Sequence, residues 1–248
     1  MDEISRSSHE YWSGRAEEFS GLRMKEYETP MRGRLIEFIR PLLPDKKSLE
    51  ALDVGCGAGF LTLLLLELGC SVTAIDFSAE MLGQAQKNCL EKGFSKGVLF
   101  QQADAGNLPF PDGSFDFVIS RNVTWTLPNA KDACLEMFRV LRSGGVLLNM
   151  DANYGKAFNE ADARGETPSH PTQTLDQLRT RNEIARDLDV TKADRPLWDF
   201  SVFWGAGASE ITIQKDLMER LSIEQYDSAS AAAPKKNKSG MFAVIVKK

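Results

Sequence analysis

Two histidines and four cysteines are few for a chain of 248 residues, and none of the cysteines (Cys56, Cys70, Cys89, Cys134) stands in a C-x-x-C pair. A zinc site built on Cys and His is therefore not expected, nor any other metal centre. A chain of this length buries enough surface to do without disulfides, so the thiols are expected to be reduced and buried. Long hydrophobic runs are missing too. The most apolar stretch, Phe60 to Leu66, falls far short of the roughly 20 residues that a membrane span requires. The opening Met1-Asp2-Glu3 is acidic and leads into no apolar signal segment, which points to a cytoplasmic protein. Basic charge is not in excess: 30 Lys and Arg against 35 Asp and Glu leave a net charge of −5. That balance argues against a nucleic-acid binder working by phosphate neutralisation. What is present is ordinary globular usage, 42% hydrophobic and 26% charged, with length for a single domain carrying an insertion.

The order of elements is informative. Glu10 to Ser20 reads as a short helix, and Thr29-Pro30 opens a second that runs to about Arg40 before Pro41 and Pro44. From Leu49 the pattern changes to strands alternating with helices. Strands are predicted at Leu49–Val54, Ser71–Ile75, Val98–Gln101, Phe115–Ser120 and Val146–Met150. Between them stand a helix after Gly59 ending at Gly69, one capped by Ser78 and closed by Gly93, and one from Asn129 ended by Gly144-Gly145. Repeated βαβ units imply a parallel sheet covered on both faces. Residues 152–210 break this rhythm. They are polar and irregular apart from a helix near Thr174 to Leu188, too long for an ordinary connection, and read as an insertion or lid. Closing strands are predicted near Leu221–Tyr226 and Phe242–Val246, joined by a mobile loop over Ser228 to Gly240. The expected architecture is a doubly wound, Rossmann-like, mostly parallel seven-stranded α/β sheet in one domain. Its parts would be a helical cap (1–45), a core (46–151), the insertion (152–210) and the closing strands (211–248).

The strand, glycine turn and helix at 49–68 form a cradle for an anion or nucleotide, because glycines admit close backbone approach and a helix N-terminus offers free N–H groups. A dinucleotide fingerprint G-x-G-x-x-G would place its third glycine at 60, where Phe60 stands. The pattern here is Asp53-x-Gly55-x-Gly57-x-Gly59. An acidic residue, Asp76, ends the second strand and another, Asp104, follows the third. A carboxylate at the first place accepts both hydroxyls of a ribose; at the second it accepts from an exocyclic amine.

Leu52-Asp-Val-Gly-Cys-Gly-Ala-Gly-Phe60, Ala74-Ile-Asp-Phe-Ser78, Gln102-Ala-Asp-Ala105, Phe115-Asp-Phe-Val-Ile-Ser120 and Phe138-Arg-Val-Leu-Arg-Ser-Gly-Gly145 together resemble the ordered motifs of class I S-adenosylmethionine-dependent methyltransferases of the small-molecule type. The resemblance covers about residues 10 to 150 and the closing strands. It implies S-adenosylmethionine as cofactor, with S-adenosylhomocysteine as product. It also implies a cofactor site made of Asp53, Gly55, Cys56, Gly57, Asp76, Phe77, Met81, Asp104 and Ala105, with Ser120 and Arg121 at the end of the fourth strand. His9 to Phe19 is similar to the family's cap helix, and Tyr11 or Trp12 would cover the sulfonium, since aromatic faces favour a cation. Trp125, Asp151, Asn153 and Tyr154 follow strands four and five and are the acceptor-side candidates, with no catalytic role assigned to any. The lone His170 in the insertion reads as a surface residue. The Asn/Asp-Pro-Pro-aromatic signature of DNA- and protein-methylating relatives is absent after Ser120, which favours a small-molecule acceptor reached by in-line methyl displacement. Two other classes stay open: a non-catalytic S-adenosylmethionine-binding protein and a nicotinamide-dependent dehydrogenase.

Overall fold

In a computed structural model, residues 3–166, 173–186, 188–221 and 240–248 are described. The chain begins with α1 (Glu3–Ser13), α2 (Ala16–Tyr27) and α3 (Met31–Ile39). Where the sequence suggests one helix over 10–20 there are two, broken at Gly14-Arg15, where Arg15 N–H turns back onto Trp12 O at 3.1 Å. The alternating core follows: β1 (Glu50–Val54), α4 (Phe60–Glu67), β2 (Ser71–Asp76), α5 (Ala79–Glu91), β3 (Val98–Gln102), β4 (Phe115–Arg121), α6 (Ala130–Val140) and β5 (Leu141–Asp151). Then come α7 (Tyr154–Ala163), α8 (Leu175–Arg186), α9 (Asp189–Lys192), α10 (Leu197–Gly205), β6 (Glu210–Gln214), α11 (Leu217–Arg220) and β7 (Phe242–Lys247).

The strands form one seven-stranded sheet in the order β3-β2-β1-β4-β5-β7-β6. Neighbours from β3 to β5 are parallel, and β7 runs antiparallel to both β5 and β6. The two-residue period of each strand divides the core. Ala51, Phe117, Ile119 and Leu148 pack towards α3 and α4 on one face. Their neighbours Leu52, Val118 and Leu147 pack towards α6 and α10 on the other. Burial on both faces is why these strands read as continuous apolar runs. The order reverses between β1 and β4, so the carboxyl ends of these two strands diverge into a crevice, the usual ligand site of an open α/β sheet.

Three expectations need correction. Helix α6 ends at Val140, before the two glycines, and β5 already begins at Leu141, which pairs with Phe115. The glycines occupy an irregularity inside the strand, where a Cβ on Gly145 would fall 2.8 Å from Asp116 O. A strand that the pattern did not foresee stands at 210–214, β6. Its alternation of Ile211 and Ile213 with polar residues suits an edge strand and lacks the apolar run that marks the inner ones. Residues 222–226 and most of the loop predicted over 228–240 lie outside the described residues, as does His170.

The third correction concerns 152–210, whose described residues hold four helices rather than one, tied to the sheet by a buried polar cluster. Arg195 donates to Asp151 Oδ2 at 3.1 Å, to Thr124 Oγ1 at 2.7 Å and to both oxygens of Asp199 at 2.9 and 2.7 Å. Asp151 also accepts from Trp125 N–H at 3.0 Å and from the Thr124 hydroxyl. All three charged side chains are closed to solvent. Burial works against the Arg195 charge, but Asp151 and Asp199 outweigh it and hold the guanidinium protonated.

Removing the cation from this cluster leaves two buried carboxylates. Arg195→Leu is expected to cost about 3–5 kcal/mol in urea denaturation, the range for breaking a buried pair from one side. Adding Asp151→Asn and Asp199→Asn to it should recover part of that loss.

Candidate functional site

The glycine turn after β1 lies in the crevice between β1 and β4. Gly55 has φ +67°, and a Cβ there would sit 2.5 Å from Val123 Cγ2 in the loop after β4. Only glycine lets the two loops meet. Gly57 has φ +52° and faces the Phe19 ring from α2. The turn is tied to the second strand at two points: Cys56 N–H donates to Ile75 O at 2.9 Å and Gly57 N–H to Asp76 Oδ2 at 2.8 Å. The other Asp76 oxygen accepts from Ser78 N–H at 2.9 Å. Each carboxylate oxygen keeps acceptor capacity beyond these bonds. Burial raises the Asp76 pKa despite the backbone donors.

Around this turn lies a cavity of about 840 Å3. Of the residues expected at a cofactor, Trp12, Asp53, Gly55, Cys56, Gly57, Asp76, Phe77, Met81, Asp104, Ala105 and Arg121 line it. Phe77 is 38% exposed and meets the His9 ring edge-on at 4.9 Å, while Met81 is buried behind it. The N-cap oxygen of Ser78 accepts from Met81 N–H at 3.2 Å and from the Ser13 hydroxyl at 2.9 Å, which draws α1 over the same end. Asp104 is exposed and uses one oxygen on Gly106 N–H at 2.8 Å, so it caps its loop as well as lining the cavity.

Trp125 and Tyr154 also line the cavity. They build an aromatic wall with Trp12 and Phe158: Trp125 lies 6.4 Å from Trp12, 5.1 Å from Tyr154 and 5.9 Å from Phe158, all edge-on. Burial pushes the Tyr154 hydroxyl up to about 12, so at neutral pH it is a protonated donor, and it gives its hydrogen to Asn122 Oδ1 at 3.3 Å. Asn122 itself has φ +58°, the left-handed region that Asn tolerates better than most residues.

Four expected residues are not on the cavity surface. Tyr11 is buried beside it, accepting from Arg15 Nη1 at 3.1 Å, with its hydroxyl 3.2 Å from the side-chain amide of Gln173. Ser120 is fully buried and donates to Asn149 Oδ1 at 2.8 Å. Asp151 is spent on Arg195 and Trp125. Asn153 caps α7, accepting from Lys156 N–H at 3.3 Å and donating to Ala193 O at 3.1 Å. In their place the cavity takes Arg15, Phe19, Arg23, Phe158 and Arg181. Arg15 and Phe19 stand within the cap-helix segment that resembles the family. Phe158 and Arg181 come from α7 and α8, where no motif marks them.

Asp53 lies beneath the turn, almost wholly buried, and accepts from Thr62 Oγ1 at 2.6 Å. Burial raises its pKa to about 7, and the nearby Asp76 charge pushes the same way against the Thr62 bond. The folded protein thus binds a proton that the unfolded chain has released above about pH 4. By linkage, this residue's contribution to stability is present at acid pH and is lost as pH rises through the window from about 4 to about 7. Asp53→Asn should remove that loss, so the variant gains on wild type in denaturation midpoint at pH 8 relative to pH 4. Parallel pH slopes for the two proteins would contradict it.

Residues 52–149 match the family described as "Methyltransferase domain". The malonyl-[acyl-carrier protein] O-methyltransferase of Enterobacter lignolyticus is 32% identical over 117 residues, covering 47% of this chain and 44% of that protein. The demethylmenaquinone methyltransferase of Desulfitobacterium hafniense is 35% identical over 112 residues, 43% of each. The chain thus matches less than half the length of these curated relatives. Among solved structures, the Methanococcus maripaludis protein mmp1179 superposes with a TM-score of 0.61 at 19% identity over 94% of this chain and 91% of that one. Phosphoethanolamine N-methyltransferase 2 of Haemonchus contortus, solved with S-adenosyl-L-methionine, gives 0.58 at 18% over 87% and 52%. These two likenesses concern the fold. With the matched domain spanning β1 to β5 and the motifs of the sequence lying along one crevice, residues 52–149 form a methyltransferase domain of the class I S-adenosylmethionine-dependent type.

Proposed function

We propose that this protein transfers a methyl group from S-adenosylmethionine to a small-molecule acceptor. The observation that carries the reading is Asp76. It ends β2 with both oxygens anchored on backbone N–H groups of the glycine turn and of the α5 N-terminus, and it lines the cavity. The residues present fit the cofactor. Asp76 is placed to accept from a pair of ribose hydroxyls, Phe77, Met81 and Ala105 offer apolar surface for adenine, and Asp104 stands at the edge where its amine would lie. Gly55 and Gly57 leave backbone open to the ligand. Trp12 offers an aromatic face to a sulfonium.

When bound, the cofactor supplies a methyl group already activated by a positive sulfur. The protein then has to hold the acceptor in line and keep water away. Trp12, Trp125, Tyr154 and Phe158 exclude water on the acceptor side. Tyr154, protonated at neutral pH, is placed to donate rather than to remove a proton. No helix among the described residues is long and apolar enough to cross a membrane. The four cysteines are unpaired and buried, which supports a reducing compartment and, as we read it, the cytoplasm. The residue at 60, and among the described residues the absence of a second mononucleotide-binding half, weigh against a nicotinamide cofactor.

Calorimetry with S-adenosylhomocysteine tests this. Losing charge-assisted bonds to two hydroxyls is expected to weaken binding by about 2–4 kcal/mol, roughly 30- to 1,000-fold, in Asp76→Ala. Asp76→Asn should lose less, because the amide keeps one acceptor oxygen. Unchanged affinity in a folded Asp76→Ala protein would misplace the ribose. Formation of S-adenosylhomocysteine from S-adenosylmethionine with a pool of metabolite acceptors separates an enzyme from a protein that only binds the cofactor.

A further inference from the structure

The cavity lining carries both charges: Asp53, Asp76 and Asp104 at and beside the glycine turn, and four arginines, Arg15, Arg23, Arg121 and Arg181. The arginines come from separate elements: the α1–α2 junction, α2, the end of β4 and α8. Two carboxylates serve them. Glu18 pairs with Arg15 at 3.0 Å, and Glu26 is shared by Arg121, at 2.6 Å, and Arg23. Arg181 has no carboxylate within ion-pair distance among the described residues; Asp162 acts on it only from farther off. Its guanidinium lies 3.9 Å from the Phe158 ring centroid and donates to the neutral oxygen of Asn182 at 3.1 Å. Arg23 Nε and Glu26 Oε2 are both closed to solvent with no hydrogen-bond partner among the described residues, inside an ion pair in which Glu26 already meets the Arg23 charge. Holding guanidiniums away from water is costly unless an anion meets them.

The cofactor brings one carboxylate, beside its own ammonium, and its sulfonium adds a positive charge, so it answers at most one of these guanidiniums. Arg181, left without a carboxylate and set between α8 and the aromatic wall, therefore concerns the other ligand. From this geometry we propose that the acceptor carries an anionic group, a carboxylate or phosphate, held by Arg181 from α8, while its body lies against the aromatic surface of Trp12, Trp125 and Phe158. The proposal rests on the methyltransferase reading above and adds the charge of the substrate. Arginine suits the task because its planar fork meets carboxylate or phosphate with two parallel bonds. A stack on Phe158 fixes the plane of that fork in advance.

Four small probes of one shape test the charge: phenylacetate, phenyl phosphate, neutral phenylacetamide and cationic 2-phenylethylamine. Each is titrated calorimetrically into the full chain saturated with S-adenosylhomocysteine. At least one anion should bind tenfold or more tightly than the amide, and the amine should bind weakest. Arg181→Gln should bring the anion-to-amide ratio to within about threefold of unity. Which anion wins tells carboxylate from phosphate. If S-adenosylhomocysteine fails to bind the wild-type protein, the methyltransferase reading falls and takes this proposal with it. If it binds but the amide or amine equals the anions, or no anion binds, the charge assignment alone is overturned. The same holds if a folded Arg181→Gln protein keeps the full preference for the anion. Should Arg181→Gln not fold, the wild-type ranking of the four probes still decides.

Discussion

The Arg195 cluster is the contact on which the acceptor side of the cavity depends. One guanidinium beyond α9 reaches the last residue of β5 and the loop after β4, and Asp151 passes the connection to the backbone of Trp125. Neither α7 nor α8 has a deep apolar face of its own; each buries only a few side chains. A charged knot closed to solvent accepts little sliding, because any displacement leaves carboxylates without donors. It fixes where the chain re-enters the sheet, and with it the wall carrying Phe158 and Arg181.

The cofactor end is governed by close approach instead. Gly55 against Val123 and Gly57 against Phe19 bring the loop after β1, the loop after β4 and the cap helices within contact of one another. Asp76 and the Cys56 backbone bond to Ile75 then tie that turn to β2. The parallel sheet alone would open a crevice here. The glycines and the cap turn it into an enclosed space in which a carboxylate has raised proton affinity and a tyrosine hydroxyl stays neutral. Such perturbed groups gather where burial and charge are combined for binding.

Much of this was legible in the residues. The strand–glycine–helix unit, the acidic ends of the second and third strands and the parallel order of the core follow from short-range patterns: period two, helix caps, and glycines where φ must be positive. Ser78 as N-cap and Gly93 beyond α5 are of this kind. What stayed hidden depended on partners far along the chain. Asp151 and Asn153 stand where an acceptor site was expected, yet Asp151 answers Arg195, 44 residues on, and Asn153 answers Ala193 and its own helix. Ser120, at the mouth of the crevice in sequence terms, turns into the sheet towards Asn149.

By itself, then, the sequence determined the sheet, its switch point and the glycine turn with its carboxylates, because each is dictated by local backbone geometry and by burial along one strand. Only the tertiary structure decided that the described residues of 152–210 are largely helical and anchored, that Tyr11 lies beside the cavity and not on it, and that arginines from four elements line one cavity. Those outcomes come from pairing charges across long separations, and a charge carries no mark in the sequence of the partner it will meet.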